Sequence, residues 1–105
     1  MYMQRVKLAP QLGKEREMQQ HLEAWVKTSQ GQGHQIGLAV QAFAPEGQVF
    51  VLTLRFADLA ALDQLRQRHR TDEAFHDYRA KTSALSRLPA QIELLEVLVP
   101  LQDGR

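Results

Sequence analysis

The chain has 105 residues, a formal net charge of +1 and no cysteine. This length is typical of one small domain, so we expect residues 1–105 to form a single domain. The near-neutral charge argues against nucleic acid or an anionic membrane as a partner, and the lack of cysteine excludes disulfides and thiolate sites. Because no signal-like or membrane-spanning apolar run is present, we expect a cytoplasmic location.

The first part of the chain predicts a strand followed by a helix. Residues 2–9 alternate in part between apolar and polar side chains, and Pro10 ends this strand because it cannot donate to a sheet. Residues 13–31 predict an amphipathic helix, with Gly31 or Gly33 as its C-terminal stop. Its apolar stripe follows the i, i+4, i+7, i+8 spacing and consists of Met18, Leu22, Trp25 and Val26.

Two further strands follow and are close enough to form a hairpin. Residues 35–43 alternate, and residues 48–56 are rich in Val, Phe, Leu and Thr, as strands are. Between them, the segment APEG at residues 44–47 predicts a tight turn.

The next part of the chain predicts a helix that is interrupted near residue 70. Asp58 is a suitable N-cap for a first helix over residues 59–69, and Thr71 marks the start of a second helix that Pro89 stops. The inward stripe of the first helix consists of Leu59, Leu62, Leu65 or Arg66, and His69. One side of the second carries Phe75, Tyr78, Thr82 and Leu85.

Residues 91–99 predict the last strand, which Pro100 ends. The order β-α-β-β-α-β is that of an α+β, ferredoxin-like fold, an antiparallel four-stranded sheet with the helices on one face. The face turned to the helices is expected to carry Val6, Leu8, Ile36, Leu38, Val40, Phe50, Leu52, Leu54 and Phe56. The opposite face, named here the open sheet face, carries Met3, Arg5, Lys7, Ala39, Gln41, Phe43, Val49, Val51, Thr53, Arg55, Glu93, Leu95 and Val97.

The open sheet face is too apolar for free solvent and too polar for a sealed core. A large exposed patch of this kind is typical of a partner surface, so we expect a homodimer that forms through this face. In such a dimer Arg5, Lys7 or Arg55 is expected to pair with Glu93 across the interface.

With its elements in this order, the chain resembles the dimeric α/β-barrel superfamily, most of all the antibiotic biosynthesis monooxygenase family of small cofactor-free oxygenases. The likeness covers nearly the whole chain and rests on the segments PQLGKEREMQQHL, FADLAALDQLRQRH and HRTDEAFHDY. The last resembles the family's spacing of a His, a Phe and an aromatic residue, here His69, Phe75 and Tyr78. In LTLRFAD, Leu54 stands where the family often has an acid, which favours a non-catalytic relative.

The resemblance implies a homodimer that binds a small hydrophobic or aromatic molecule and oxidises it with O₂ and no cofactor. His69 is the candidate catalytic base, since an imidazole accepts a proton near neutral pH; the alternative is a polar residue that suits a helix C-terminus. Trp25, Phe75, His76 and Tyr78 are the candidate ligand-binding residues, with ordinary core packing as the alternative. His76 is expected at the edge of the core.

Other chemistries have less support in the sequence. The spacing of His69 and His76 is not that of a metal pair, so no metal site is expected. Haem binding needs a single axial His, for which His21, His69 and His76 are equal candidates. Arg66, Arg68 and Arg70 are interpreted as a solvated surface. Two functions other than oxygenation therefore stay open: a non-catalytic ligand-binding or stress-related dimer, and a haem-binding or haem-degrading relative.

Overall fold

The computed structural model describes residues 1–41 and 47–102. Its strands form one antiparallel sheet in the order β2-β3-β1-β4. The elements are β1 (Tyr2–Leu8), α1 (Glu15–Gly31), β2 (Ile36–Val40), β3 (Phe50–Phe56), α2 (Leu59–Arg70), α3 (Glu73–Leu85) and β4 (Gln91–Glu96). The α+β, ferredoxin-like fold that the sequence predicts is confirmed, including the antiparallel hairpin of β2 and β3.

Strand β1 lies in the middle of the sheet, where Val6 pairs with Leu52 of β3 and with Ile92 of β4. Because side chains alternate along a strand, these three project from the same face. This is the face on which the helices pack, and it carries the apolar side chains that the alternation predicts.

The buried core consists of two clusters. The larger joins α1 and α3 to the sheet, and its members are Leu8, Met18, Leu22, Val26, Ile36, Phe50, Leu52 and Leu85. Met18 and Leu22 are fully buried, as expected for one helical stripe, and each such side chain contributes roughly 1.5–3 kcal/mol through burial. The smaller cluster joins α2 to β3 through Leu62, Leu65 and Phe56. The helices α2 and α3 therefore rest on different parts of the sheet.

Two aspartates define where α2 and α3 begin. Asp58 Oδ1 accepts a hydrogen bond from Ala61 N at 2.8 Å, as the N-cap assignment predicts. Asp72 Oδ1 accepts from Ala74 N at 3.0 Å and from Phe75 N at 3.4 Å. Asp72, and not Thr71, is thus the cap of α3, because Thr71 is the residue that ends α2.

Several boundaries differ from the prediction. Strand β4 ends at Glu96 and not at residue 99, because Glu96 pairs with Tyr2, where its partner strand begins. Helix α3 ends at Leu85, well before Pro89, since Ser86 is already extended. Strand β2 ends at Val40; residues 42–46, which include Phe43 and most of the predicted turn, lie outside the described residues.

Leu59 does not belong to the buried stripe of α2. It is 50% exposed, whereas Leu62 and Leu65 are buried. Leu59 is the first helical residue after the Asp58 cap, and the part of α2 that rests on Phe56 begins one turn later.

The open sheet face carries its charges close together within one chain. Lys7 Nζ lies 3.4 Å from Glu93 Oε1, and Arg5 Nη1 lies 3.9 Å from Glu93 Oε2. Since Arg5 and Glu93 are direct cross-strand partners, these ion pairs form within the sheet, whereas the sequence suggested pairing across a dimer interface. Of the helices in the described ranges, none combines the length and apolar character needed to cross a membrane.

Candidate functional site

A cleft of about 850 Å³ lies between the helix side of the sheet and the helices α2 and α3. It opens where the two core clusters meet, so its floor is apolar: Val6, Leu52, Leu54, Leu65 and Ile92. Ile92 is 62% exposed because the cleft lies over this part of β4. A volume of this size is in the range of small-molecule sites.

One wall of the cleft is aromatic. The rings of His69 and Phe75 are stacked, with centroids 3.6 Å apart and planes 10° from parallel. Trp25 packs edge-on against Tyr78 at 4.3 Å, and the Phe75 and Tyr78 centroids are 6.2 Å apart. The helices α1, α2 and α3 thus each contribute to a continuous wall, with which a flat ligand can make stacking contacts.

His69 lies half-buried near the end of α2, and burial lowers its pKa. Asp72 acts in the opposite direction, while His34, Arg68 and Arg79 add to the lowering. Within the described ranges its ring nitrogens have no hydrogen-bond partner, so both are available to a ligand. Because its pKa is lowered, the imidazole is neutral at neutral pH and can accept a proton.

His21 of α1 forms a link to α3 that sequence reasoning missed. Its Nε2 lies 2.8 Å from Thr82 Oγ1 and 3.3 Å from the Tyr78 carbonyl oxygen. Thr82 Oγ1 donates to the same carbonyl at 2.7 Å. Because a carbonyl oxygen can only accept, this arrangement requires a proton on Nε2. Burial lowers the pKa of His21, and the hydrogen bond to Tyr78 opposes that shift.

Tyr78 is a partly buried polar group of the wall. Burial raises its pKa to about 12, so the phenol keeps its proton at neutral pH. Its ring lies 5.1 Å from the ring of His21. The link to α1 therefore holds the turn of α3 that carries Tyr78.

The rim of the cleft is basic. Arg66 and Arg70 line it from α2, and the guanidinium of Arg79 lies 5.8 Å from the centroid of Phe75. Both arginines are exposed, in agreement with the sequence interpretation of a solvated surface, and because residues four apart share a helix face they also line the same rim. Arg68, between them, lines a smaller depression of about 360 Å³.

The candidate base and the four candidate ligand-binding residues all line this one cleft: Trp25, His69, Phe75, His76 and Tyr78. His21, a candidate haem ligand, is not among the lining residues. His76 lies at the exposed rim and not at the edge of the core, with Nε2 3.0 Å from the carbonyl oxygen of Arg70. That these residues bind a ligand stays a prediction. Among the described residues, no three His, Asp or Glu side chains form a group that could hold a metal ion.

No protein-family model matches the sequence, and no curated protein matches it significantly. Solved structures do match. A putative antibiotic biosynthesis monooxygenase from Deinococcus radiodurans is 13% identical over 100% of both chains, with a TM-score of 0.76. Another antibiotic biosynthesis monooxygenase is 20% identical, with 95% of this chain and 100% of that one covered and a TM-score of 0.73.

An uncharacterised NIPSNAP domain protein from Burkholderia xenovorans is also similar, at 14% identity and a TM-score of 0.78, over 98% of this chain and 100% of that one. Likeness at such low identity is evidence about architecture and not about activity. The chain therefore has the α+β, ferredoxin-like fold of the antibiotic biosynthesis monooxygenase structures.

Proposed function

We propose that the protein is a homodimeric oxygenase that oxidises a small aromatic or quinol-type molecule with O₂ and without a cofactor. The observation that carries this proposal is the aromatic-walled cleft lined by a half-buried imidazole, His69, whose pKa burial lowers. The similarity in fold to structures described as antibiotic biosynthesis monooxygenases supports it.

The proposed chemistry begins with proton transfer from the ligand to His69. Loss of a proton from a phenol, or from the activated CH₂ of an anthrone, gives an electron-rich anion that can reduce O₂. For the anthrone, conversion of CH₂ and O₂ to C=O and H₂O balances, since one oxygen atom enters the carbonyl and the other leaves as water. The substrate supplies all four electrons, so no external reductant is consumed.

Two further wall residues would orient the ring. Tyr78 keeps its proton because burial raises its pKa to about 12, so it can act only as a neutral hydrogen-bonding group. Trp25 lies edge-on to it and presents an apolar ring with one N–H. Together they favour a ligand that is flat and carries a hydroxyl or carbonyl oxygen.

The open sheet face is the proposed dimer interface. It carries apolar side chains that are only partly buried in the single chain, among them Met3, Val51 and Leu95, the last 40% exposed. The charges of Lys7 and Glu93 are already paired within the sheet, which reduces the cost of covering them with a second copy.

The experiment that tests catalysis is oxygen uptake with a panel of quinols and anthrones and no added cofactor. Wild-type protein is expected to raise uptake above the uncatalysed rate, and His69→Gln, which keeps a polar side chain but removes the base, is expected to reduce it roughly 100-fold or more. His34→Gln is the matched control, because His34 lies in the loop before β2 and does not line the cleft. Since His34 contributes to the lowered pKa of His69, the variants are compared on the high-pH plateau, where His69 is neutral in both. Equal loss in both variants, or none in His69→Gln, contradicts the assignment of the base.

A second candidate function is a non-catalytic binding protein for the same kind of ligand. Two observations favour it: Leu54, an apolar residue, lines the cleft where an acid is common in the resembled family, and no described residue orients the His69 ring by a hydrogen bond. This candidate predicts ligand binding without oxygen uptake. The haem alternative predicts a Soret band on addition of hemin that His69→Gln weakens.

A further inference from the structure

The charges that line the cleft are of one sign. Four of its lining residues are arginines, Arg66, Arg70, Arg79 and Arg87, and none of the described residues that line it is an aspartate or glutamate. The whole chain, in contrast, has 13 basic and 12 acidic residues. The imbalance is therefore a property of this cleft and not of the composition.

Three of these arginines surround the aromatic wall. Arg66 lies three residues before His69, and Arg70 lies one residue after it. The two arginines are therefore one helical turn apart on α2. Arg79 belongs to α3 and approaches the Phe75 ring, on which His69 stacks. Positive charge thus reaches the cleft from both helices that form it, next to the surface on which a flat ligand would lie.

The guanidinium groups of Arg66, Arg70 and Arg79 form no ion pair with a carboxylate among the described residues. The ion pairs found there involve Arg5, Lys7 and Lys14, which lie elsewhere. A guanidinium has a planar set of donors that matches a carboxylate in a bidentate arrangement. Like charges gathered in a cleft also raise the local concentration of an anionic ligand.

We infer that the cleft takes an aromatic ligand that carries a carboxylate, with the ring on the His69–Phe75 wall and the carboxylate at the arginine rim. This inference rests on the proposed ligand cleft and names the ligand class, but it does not depend on turnover. It adds a charge requirement to the flat, oxygen-bearing ring that Trp25 and Tyr78 favour.

The chain contains a single tryptophan, Trp25, and it stands in the wall, so its fluorescence reports directly on occupancy of the cleft. The test compares anthraquinone-2-carboxylate with anthraquinone-2-carboxamide, which has nearly the same shape and no charge. Both are already oxidised, so binding is measured without reaction with O₂. We expect wild-type protein to bind the carboxylate at least about 10-fold more tightly, the effect of one or two charge-assisted hydrogen bonds.

Variants identify the groups responsible. The double variant Arg66→Gln, Arg70→Gln is expected to reduce the carboxylate preference to less than about 3-fold while amide binding stays unchanged. Arg68→Gln, compared with each single variant Arg66→Gln and Arg70→Gln, is the matched control: each removes one positive charge from the same helix, but Arg68 does not line this cleft. It is expected to keep the preference.

Three results would overturn the inference: equal affinity of wild type for acid and amide, a preference that survives in the double variant, or no quenching by either compound. Its failure is distinguishable from failure of the oxygenase proposal. Carboxylate preference without oxygen uptake by any quinol or anthrone supports the ligand class and rejects catalysis. Uptake by the protein without carboxylate preference rejects the ligand class alone.

Discussion

Replacing Thr82 by Val tests whether the His21 link fixes α3 against α1. Val has nearly the same shape as Thr but lacks the hydroxyl, so packing is kept at a position that is 8% exposed. The change removes the 2.8 Å hydrogen bond of His21 Nε2, together with the 2.7 Å bond that Thr82 Oγ1 donates within α3, and leaves His21 only the Tyr78 carbonyl at 3.3 Å. This link fixes the part of α3 that carries Tyr78.

The size of the effect follows from these contacts. A lost intramolecular hydrogen bond typically costs about 0.5–1.5 kcal/mol, and a fully buried donor left without a partner costs about 1–3 kcal/mol. His21 is only half-buried and retains its longer contact, so the lower part of this range applies. We expect the free energy of unfolding to fall by about 1 kcal/mol, which lowers the Tm by roughly 4–8 °C for a domain of this size.

Urea unfolding at pH 7.5 and at one fixed protein concentration measures the difference. Thr28→Val is the matched control, since Thr28 is an exposed residue of helix α1 and the same atoms change there in solvent. If Thr82→Val and Thr28→Val differ by less than about 0.3 kcal/mol, the hydrogen bond does not stabilise the packing of α1 on α3 and the reasoning is wrong.

Further predictions concern the base, the interface, the cap and the pH dependence of stability. Because burial lowers the pKa of His69, oxygen uptake should rise with pH to a plateau, with a midpoint below 6.5. Val51→Asp should give monomers in light scattering at micromolar concentration, while exposed Gln20→Asp should not. Asp72→Ala should lower the free energy of unfolding by about 1 kcal/mol in urea, through loss of the α3 cap. The pKa values of His21 and His69 are lower in the folded state, so the unfolded chain binds more protons and the measured stability should fall as pH drops below about 6.5.

The order of elements could be predicted because each leaves a local pattern in the sequence. The stripe Met18, Leu22 and Val26 identifies α1, and alternation identifies the strands. Boundaries set by distant partners leave no such pattern. Residues 97–99 are as apolar as a strand, yet β4 ends at Glu96, which pairs with Tyr2, the first residue of β1; beyond this pair Val97 N donates to the Met1 carbonyl oxygen at 2.9 Å.

The site was predictable only as a set of residue types on inward helix faces. The five nominated residues do line one cleft, since helical spacing determines which side chains face the sheet. Spacing cannot show how helices approach each other. It therefore missed the contact of His21 with Thr82, 61 residues apart, and the assembly of arginines from α2 and α3 at one rim.

The interruption between α2 and α3 creates the aromatic wall. In one continuous helix, His69 and Phe75 would be six positions apart, roughly 240° around the axis and about 9 Å along it, so their rings could not stack. Thr71 instead ends α2, and Asp72 starts α3 in a new direction, which brings the rings to 3.6 Å. The stacked imidazole becomes half-buried and its pKa is lowered for that reason. The cap at Asp72 thus links the local sequence RTDEAF to the property on which the proposed base depends.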